Sequence, residues 1–359
     1  MTTNNKKFHF KCLYNYFLIL SLIIFFFSTV KVYGKAFEVN DIEVSQPFEL
    51  NFNKNKVIDE GFDRAFFELI SLILNSSDQK KIDKIKLNEI KGMIESFSIQ
   101  EEKFINEIYH LKLGVSFNKK KIFKYLEKKN IFPSIPLKNN FLFIPIVIDE
   151  KEKDLLIFND NKIYIKWNED KKKTQLINYI LPTEDLEDIN IIKKKYENIE
   201  QYDFKEIIDK YYLDDSIISL IFKNEKEMRV LSRITIRDNV VIKNQSFSNI
   251  EIDDDKQIEK IVTELKTIYE DYWKNFNKIN TSIKLSLNIK MNSSDNLKIS
   301  NFEKTLNETD LIYDYKISKF DKNFIYYQII FNGTPNFFLK TMKNNNFDFN
   351  TENKIWLLK

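Results

Sequence analysis

Ile283-Lys-Leu-Ser-Leu-Asn-Ile289 puts Ile283, Leu285, Leu287 and Ile289 on one side of an extended chain and Lys284, Ser286 and Asn288 on the other. That period of two belongs to a half-buried strand. A helix is expected next, near Asp295 to Asn307, where Ile299, Phe302 and Leu306 recur at helical spacing. Tyr313, Tyr315 and Ile317 then alternate in a second strand, and Phe324 to Phe331 form a third after a tight turn at Asp321 to Asn323. Thr334-Pro335 is a cap followed by proline at the first helical position, with Phe338, Leu339 and Met342 lining the helix behind it. Phe347 to Phe349 and Ile355 to Leu358 complete a terminal strand. The order βαββαβ predicts a ferredoxin-like module over 281–359.

Working back from it, Asp253 to Asp255 open the most regular helical stripe in the chain: Ile258, Ile261, Val262, Leu265, Ile268, Tyr269, Tyr272 and Phe276. Acidic residues suit the positive end of a helix dipole. A calcium loop would space its acids alternately and add a glycine and a distal glutamate, which this stretch lacks. Phe141-Leu-Phe-Ile-Pro-Ile-Val-Ile148 is a continuous apolar run, expected of a strand covered on both faces. Further strands are expected at Gln175 to Leu181, Ser216 to Phe222, Met228 to Ile236 and Asn239 to Lys243, with helical spacing at Ile189 to Tyr196 and Phe204 to Tyr211. These make a middle unit over 137–280.

In a first unit over 37–136, a strand at Phe37 to Val44 precedes a helix that ends near Leu74. Ile90, Met93, Ile94 and Phe97 mark a shorter helix, Tyr109 to Phe117 alternate as a strand, and Asn118 caps another helix. Pro133 and Pro136 close the unit. The expected fold class is therefore α+β / α/β: two small mixed-sheet α/β units followed by the C-terminal ferredoxin-like module.

The first 36 residues read as an address. Lys6, Lys7 and Lys11 precede an almost wholly apolar run from Tyr14 to Val30, and Gly34-Lys35-Ala36 supplies small residues for a cut after Gly34 or Ala36. As a helix the run covers roughly 25 Å, slightly short of a hydrocarbon core of ~30 Å, which favours a cleaved signal peptide. Phe25, Phe26 and Phe27 keep an uncleaved anchor through residues 14–30 as the alternative. Either way the body is expected in the periplasm, since positive charge stays inside. Cys12 precedes the apolar run, whereas a lipoprotein cysteine would follow it.

Composition excludes several functions. Five of the 56 basic residues and none of the 53 acidic ones fall in the first 36 positions, leaving 51 against 53, a formal charge of −2. A nucleic-acid partner is not expected from so balanced a chain. Its five glycines, at 34, 61, 92, 114 and 333, cannot assemble a phosphate-binding loop or a dinucleotide fingerprint. Beyond the leader there is no cysteine and one histidine, His110, so disulfides and zinc sites of the Cys/His type are excluded. His110 falls on the wet side of its strand and reads as a surface residue. No cofactor and no metal is expected.

One cluster is dense enough to be chemical: Leu181-Pro-Thr-Glu-Asp-Leu-Glu-Asp188. Paired carboxylates divide acid and base duties when their environments push their pKa values apart, and they also hold hard cations. Against this, Asp185 is well placed to cap the following helix, with Glu187 and Asp188 in its first turn, and capping is the favoured reading. Asp185, Glu187 and Asp188 are the candidate site residues.

Gly61-Phe-Asp-Arg-Ala-Phe66, Tyr109-His-Leu-Lys-Leu-Gly-Val-Ser-Phe117 and the acidic turn, with Phe331-Asn-Gly-Thr-Pro335, Phe347-Asp-Phe349 and Ile355-Trp-Leu-Leu358 near the end, resemble the proteobacterial envelope proteins of the domain of unknown function 2066. That family carries no established activity, so the resemblance implies location and architecture and supplies no catalytic residues. The expected function is a non-enzymatic scaffold or adaptor that binds a protein or cell-wall partner in the envelope, touching membrane only through an uncleaved leader. The alternative is a carboxylate-dependent hydrolase of an envelope polymer, with a concave pocket beside the acidic turn.

Overall fold

The computed structural model describes residues 37–359 apart from 83, 170–172, 225–226 and 251–253. The leader and Asp253 lie outside the described residues. The protein is α+β, and Ala36–Lys359 form one compact unit.

The first sheet has the order β1-β3-β2, from β1 (Glu38–Pro47), β2 (Ile94–Ile105) and β3 (Ile108–Phe117), all antiparallel. Helix α1 (Lys54–Ile73) lies on it with Val57, Phe62, Ala65, Phe66, Leu69 and Ile73 buried. Asn53 caps α1 through the Asn55 amide. Short helices α2 (Ser76–Gln79) and α3 (Leu87–Met93) follow, then α4 (Lys119–Lys128) capped by Asn118. The expected helix through Phe97 is corrected: α3 stops at Met93 and the chain runs straight into β2. Apart from Ile94, the side chains of β2 are exposed, so its backbone ladder to β3 makes it a strand.

The middle sheet is built on β4 (Asn139–Asp149), whose two faces supply two separate cores. Phe141, Phe143 and Val147 pack toward the long helix, and Leu142, Ile144, Ile146 and Ile148 pack the other way. This two-sided burial is what the unbroken apolar run requires. Alongside β4 run β5 (Asp154–Leu156), then α5 (Lys162–Trp167), β6 (Ile177–Ile180), α6 (Leu186–Lys194), α7 (Lys205–Ile208), β7 (Ser216–Asn224), β8 (Glu227–Ile236) and β9 (Asn239–Ser248). The order is β5-β4-β7-β8-β9, with β6 also paired to β4.

Pro145 sits in the centre of β4, where a proline ordinarily costs a ladder bond. Here β6 pairs only with Asn139–Leu142 and β5 only with Val147–Asp149, so that edge is open at Pro145. The buried Asn161 side chain donates to the Pro145 carbonyl at 3.1 Å and closes the gap. Helix α8 (Asp255–Phe276) covers one face through Ile258, Ile261, Leu265, Tyr269 and Trp273. Asp254 caps it.

The last module contains β10 (Leu285–Asn292), α9 (Asn296–Glu308), β11 (Ile312–Phe320), β12 (Phe324–Phe331), α10 (Pro335–Asn344), β13 (Phe349–Asn350) and β14 (Trp356–Leu358). Its order β11-β12-β10-β14-β13 follows the expected βαββαβ plan with one addition. The single terminal strand is in fact a hairpin, β13 and β14, and this extra reversal makes β14 parallel to β10. A chain that ended on one strand after α10 would run antiparallel there.

The first and last units share one hydrophobic core. Val44, Phe66, Leu113 and Phe123 belong to the same buried cluster as Leu287, Phe302, Tyr327, Phe331 and Phe338. Polar ties cross the seam: Lys119 Nζ donates to the Thr309 carbonyl at 3.1 Å, and Lys284 pairs with Glu127 at 3.3 Å.

Candidate functional site

The acidic turn forms where the chain leaves β6 and enters α6. Asp185 is the cap: its Oδ1 accepts the Glu187 amide at 2.8 Å. Lys210, just beyond α7, reaches across with its Nζ 2.6 Å from Asp188 Oδ1, 3.2 Å from Asp185 Oδ2 and 3.9 Å from Glu187 Oε2. The structure therefore brings all three candidate carboxylates together, around an ammonium that the chain itself supplies. Asp188 is buried and Glu187 is exposed. The Glu187 amide, and after it Lys210, hold the Asp185 carboxyl below the usual carboxylate range. Hydrogen bonding to Asp188, then to Asp185, raises Lys210 above its ordinary value. A carboxylate kept ionised in this way makes a poor general acid at neutral pH. Among the described residues, no three His, Cys, Asp or Glu side chains are grouped to hold a metal ion.

His110 does have a partner that sequence reading missed. Its Nδ1 lies 2.8 Å from Ser45 Oγ, directly across the β1–β3 ladder. A serine–histidine pair becomes a nucleophile with an orienting carboxylate and donors for an oxyanion. Among the described residues no carboxylate bonds to this histidine, and the pair lies on an exposed sheet face.

A cleft of about 500 Å³ opens between the first and middle units, floored by the polar side of α8 and walled by Ser71, Ser76 and Gln175. Asp271 and Lys274 on this floor tie α8 to the first unit, and Glu270 ties it to the start of β6 within the middle unit. Glu270 Oε1 accepts the Ile177 amide at 2.8 Å and the Leu176 amide at 3.1 Å. Asp271 accepts the Ser76 amide at 2.7 Å, and Lys274 Nζ donates to the Ser71 carbonyl at 2.6 Å. Burial pushes Glu270 up, against the two amides, and pushes Lys274 down. None of these residues stood out in the sequence. The one visible mark of Glu270 and Lys274 is position, each directly following a core aromatic, Tyr269 or Trp273.

No protein family model matches this chain, and no curated protein matches it in sequence. Among the described residues, no helix is long and apolar enough to cross a membrane.

Proposed function

We propose that this chain is an exported envelope protein, of the domain of unknown function 2066 type, that works as a non-enzymatic scaffold or adaptor for a protein or cell-wall partner. Periplasmic location rests on the lysine-led apolar leader. The observation that carries the binding role is that each sheet has an edge strand with one open side and exposed apolar side chains. These are Phe97 and Ile99 on β2, Val240 and Ile242 on β9, and Ile317 and Phe320 on β11. Open edges with apolar side chains favour strand addition or surface docking. The hydrolase alternative gains no support, because Lys210 occupies the carboxylates it would use.

The test is photo-crosslinking in cells from Ile99, Val241 and Ile317, combined with fractionation. The expected result is one recurring partner in the envelope fraction. Full-length chain in the cytosol with its leader attached, or no crosslink from any edge, overturns the proposal.

A further inference from the structure

Exposed apolar side chains concentrate at one end of the first sheet. There the turn after β1 meets the β2–β3 hairpin: Pro47 pairs with Ile108, Ile105 pairs with Ile108, and the Phe48 amide donates to the Glu107 carbonyl at 2.8 Å. Phe48 and Phe104 touch edge to face with ring centroids 5.0 Å apart. Phe48, Leu50, Phe104, Ile105 and Ile108 are all exposed, Leu50 completely and Phe104 by 58%. Asn106 and Glu107 hold φ of 51° and 62° in a two-residue turn that matches strand twist.

Two carboxylates at this tip are left unanswered. Glu102 is neutralised by Lys54 and Glu101 by Lys103. Glu49 and Glu107 are exposed and have no ion-pair partner among the described residues. An apolar centre with two unanswered carboxylates selects its occupant. A second copy would set these carboxylates against their own equivalents, and an anionic lipid surface would meet the same repulsion.

We propose that this tip is a docking surface for a basic amphipathic segment of a partner protein. Its apolar side chains cover Phe48, Leu50 and Phe104, and its Lys or Arg side chains reach Glu49 and Glu107. This names the partner chemistry for the adaptor reading, and it rests on that reading for the partner being a protein.

Calorimetric titration of the compact unit, Ala36–Lys359, tests it with a synthetic amphipathic helix bearing Leu on one face and Lys on the other. A Leu/Glu helix and phosphatidylglycerol vesicles serve as rival probes. The Leu/Lys helix is expected to bind and to slow hydrogen exchange at the amides of Leu50 and Glu107. Leu50→Ser, at a position with no packing role, should weaken binding about tenfold or more. Glu49→Gln with Glu107→Gln should weaken it about three- to tenfold and flatten its salt dependence. Absence of binding, equal binding of the Leu/Glu helix, preference for the vesicles, self-association without peptide, or indifference to Leu50→Ser each overturns the proposal. Such a failure leaves the adaptor reading standing where crosslinks from β9 and β11 persist. Loss of crosslinks at all three edges, with peptide binding intact, removes the adaptor reading alone.

Discussion

Replacing Glu270 separates a fastening role from a merely tolerated charge. Glu270→Ala leaves the buried Leu176 and Ile177 amides without an acceptor, at about 1–3 kcal/mol each. It also takes from Lys274, which is 7% exposed, one of the two carboxylates that oppose its desolvation, Asp271 being the other. The two stranded amides together cost about 2–6 kcal/mol, a drop in melting temperature of roughly 10 °C for a chain of this size. Glu270→Gln keeps one oxygen where both amides already converge, on Oε1, and should cost under about 1.5 kcal/mol. The two variants also differ from the wild type in pH dependence. Burial lifts the Glu270 carboxyl above its ordinary range, so the folded chain holds this proton more tightly than the unfolded one. Stability should therefore fall as pH rises from the ordinary carboxylate value through the raised one, with the whole penalty present at neutral pH. Glu270→Gln abolishes that slope. Thermal melts followed by far-ultraviolet dichroism and by the fluorescence of Trp167 and Trp273 read both effects. An alanine variant as stable as the glutamine variant, or a glutamine variant that keeps the acid slope, would refute the reasoning.

Asn161→Ala removes the donor to Pro145 and the acceptor for the Ile163 amide at 2.9 Å, and is expected to lower stability by about 2–5 kcal/mol in urea unfolding. Lys210→Met strands the buried Asp188 carboxylate and should lower the melting temperature by several degrees. Adding Asp188→Asn should recover most of that loss, since the uncompensated charge is its cause. Gly61→Ala improves helix propensity by about 1 kcal/mol yet should destabilise, because its methyl would lie 2.3 Å from Leu113 Cδ1 in the core. Trimming the neighbour with Leu113→Val should reverse the sign, which paired chemical melts would detect.

Helices with one buried face were legible in the sequence. The α8 stripe from Ile258 to Tyr269 and the caps at Asn118, Asp254 and Thr334 follow from spacing and side-chain chemistry, although the last turn of α8 buries Trp273 and leaves the expected Phe276 exposed. Strand β2 was not legible, because it buries almost nothing and its Gln100-Glu-Glu-Lys103 run favours helix; pairing with β3 overrides that preference. The β13–β14 hairpin was read as one strand because each part is too short to show alternation. At the acidic turn, the capping geometry was readable from Asp185, but Lys210 was one lysine among many in a lysine-rich chain. Periodicity says that a face is covered and is silent about what covers it. The shared core of the first and last units was hidden for the same reason.

That shared core has a consequence for how the chain comes into being. Any route that delivers the polypeptide amino end first presents the greasy faces of β1, α1 and β3 long before Phe331 and Leu358 exist to finish their packing. The middle unit, whose two cores draw on residues from 141 to 273 and on Leu72 of α1, can settle in the meantime. The opening third must wait, half-wrapped, for the closing strands, an interval in which a holdase would have an obvious client.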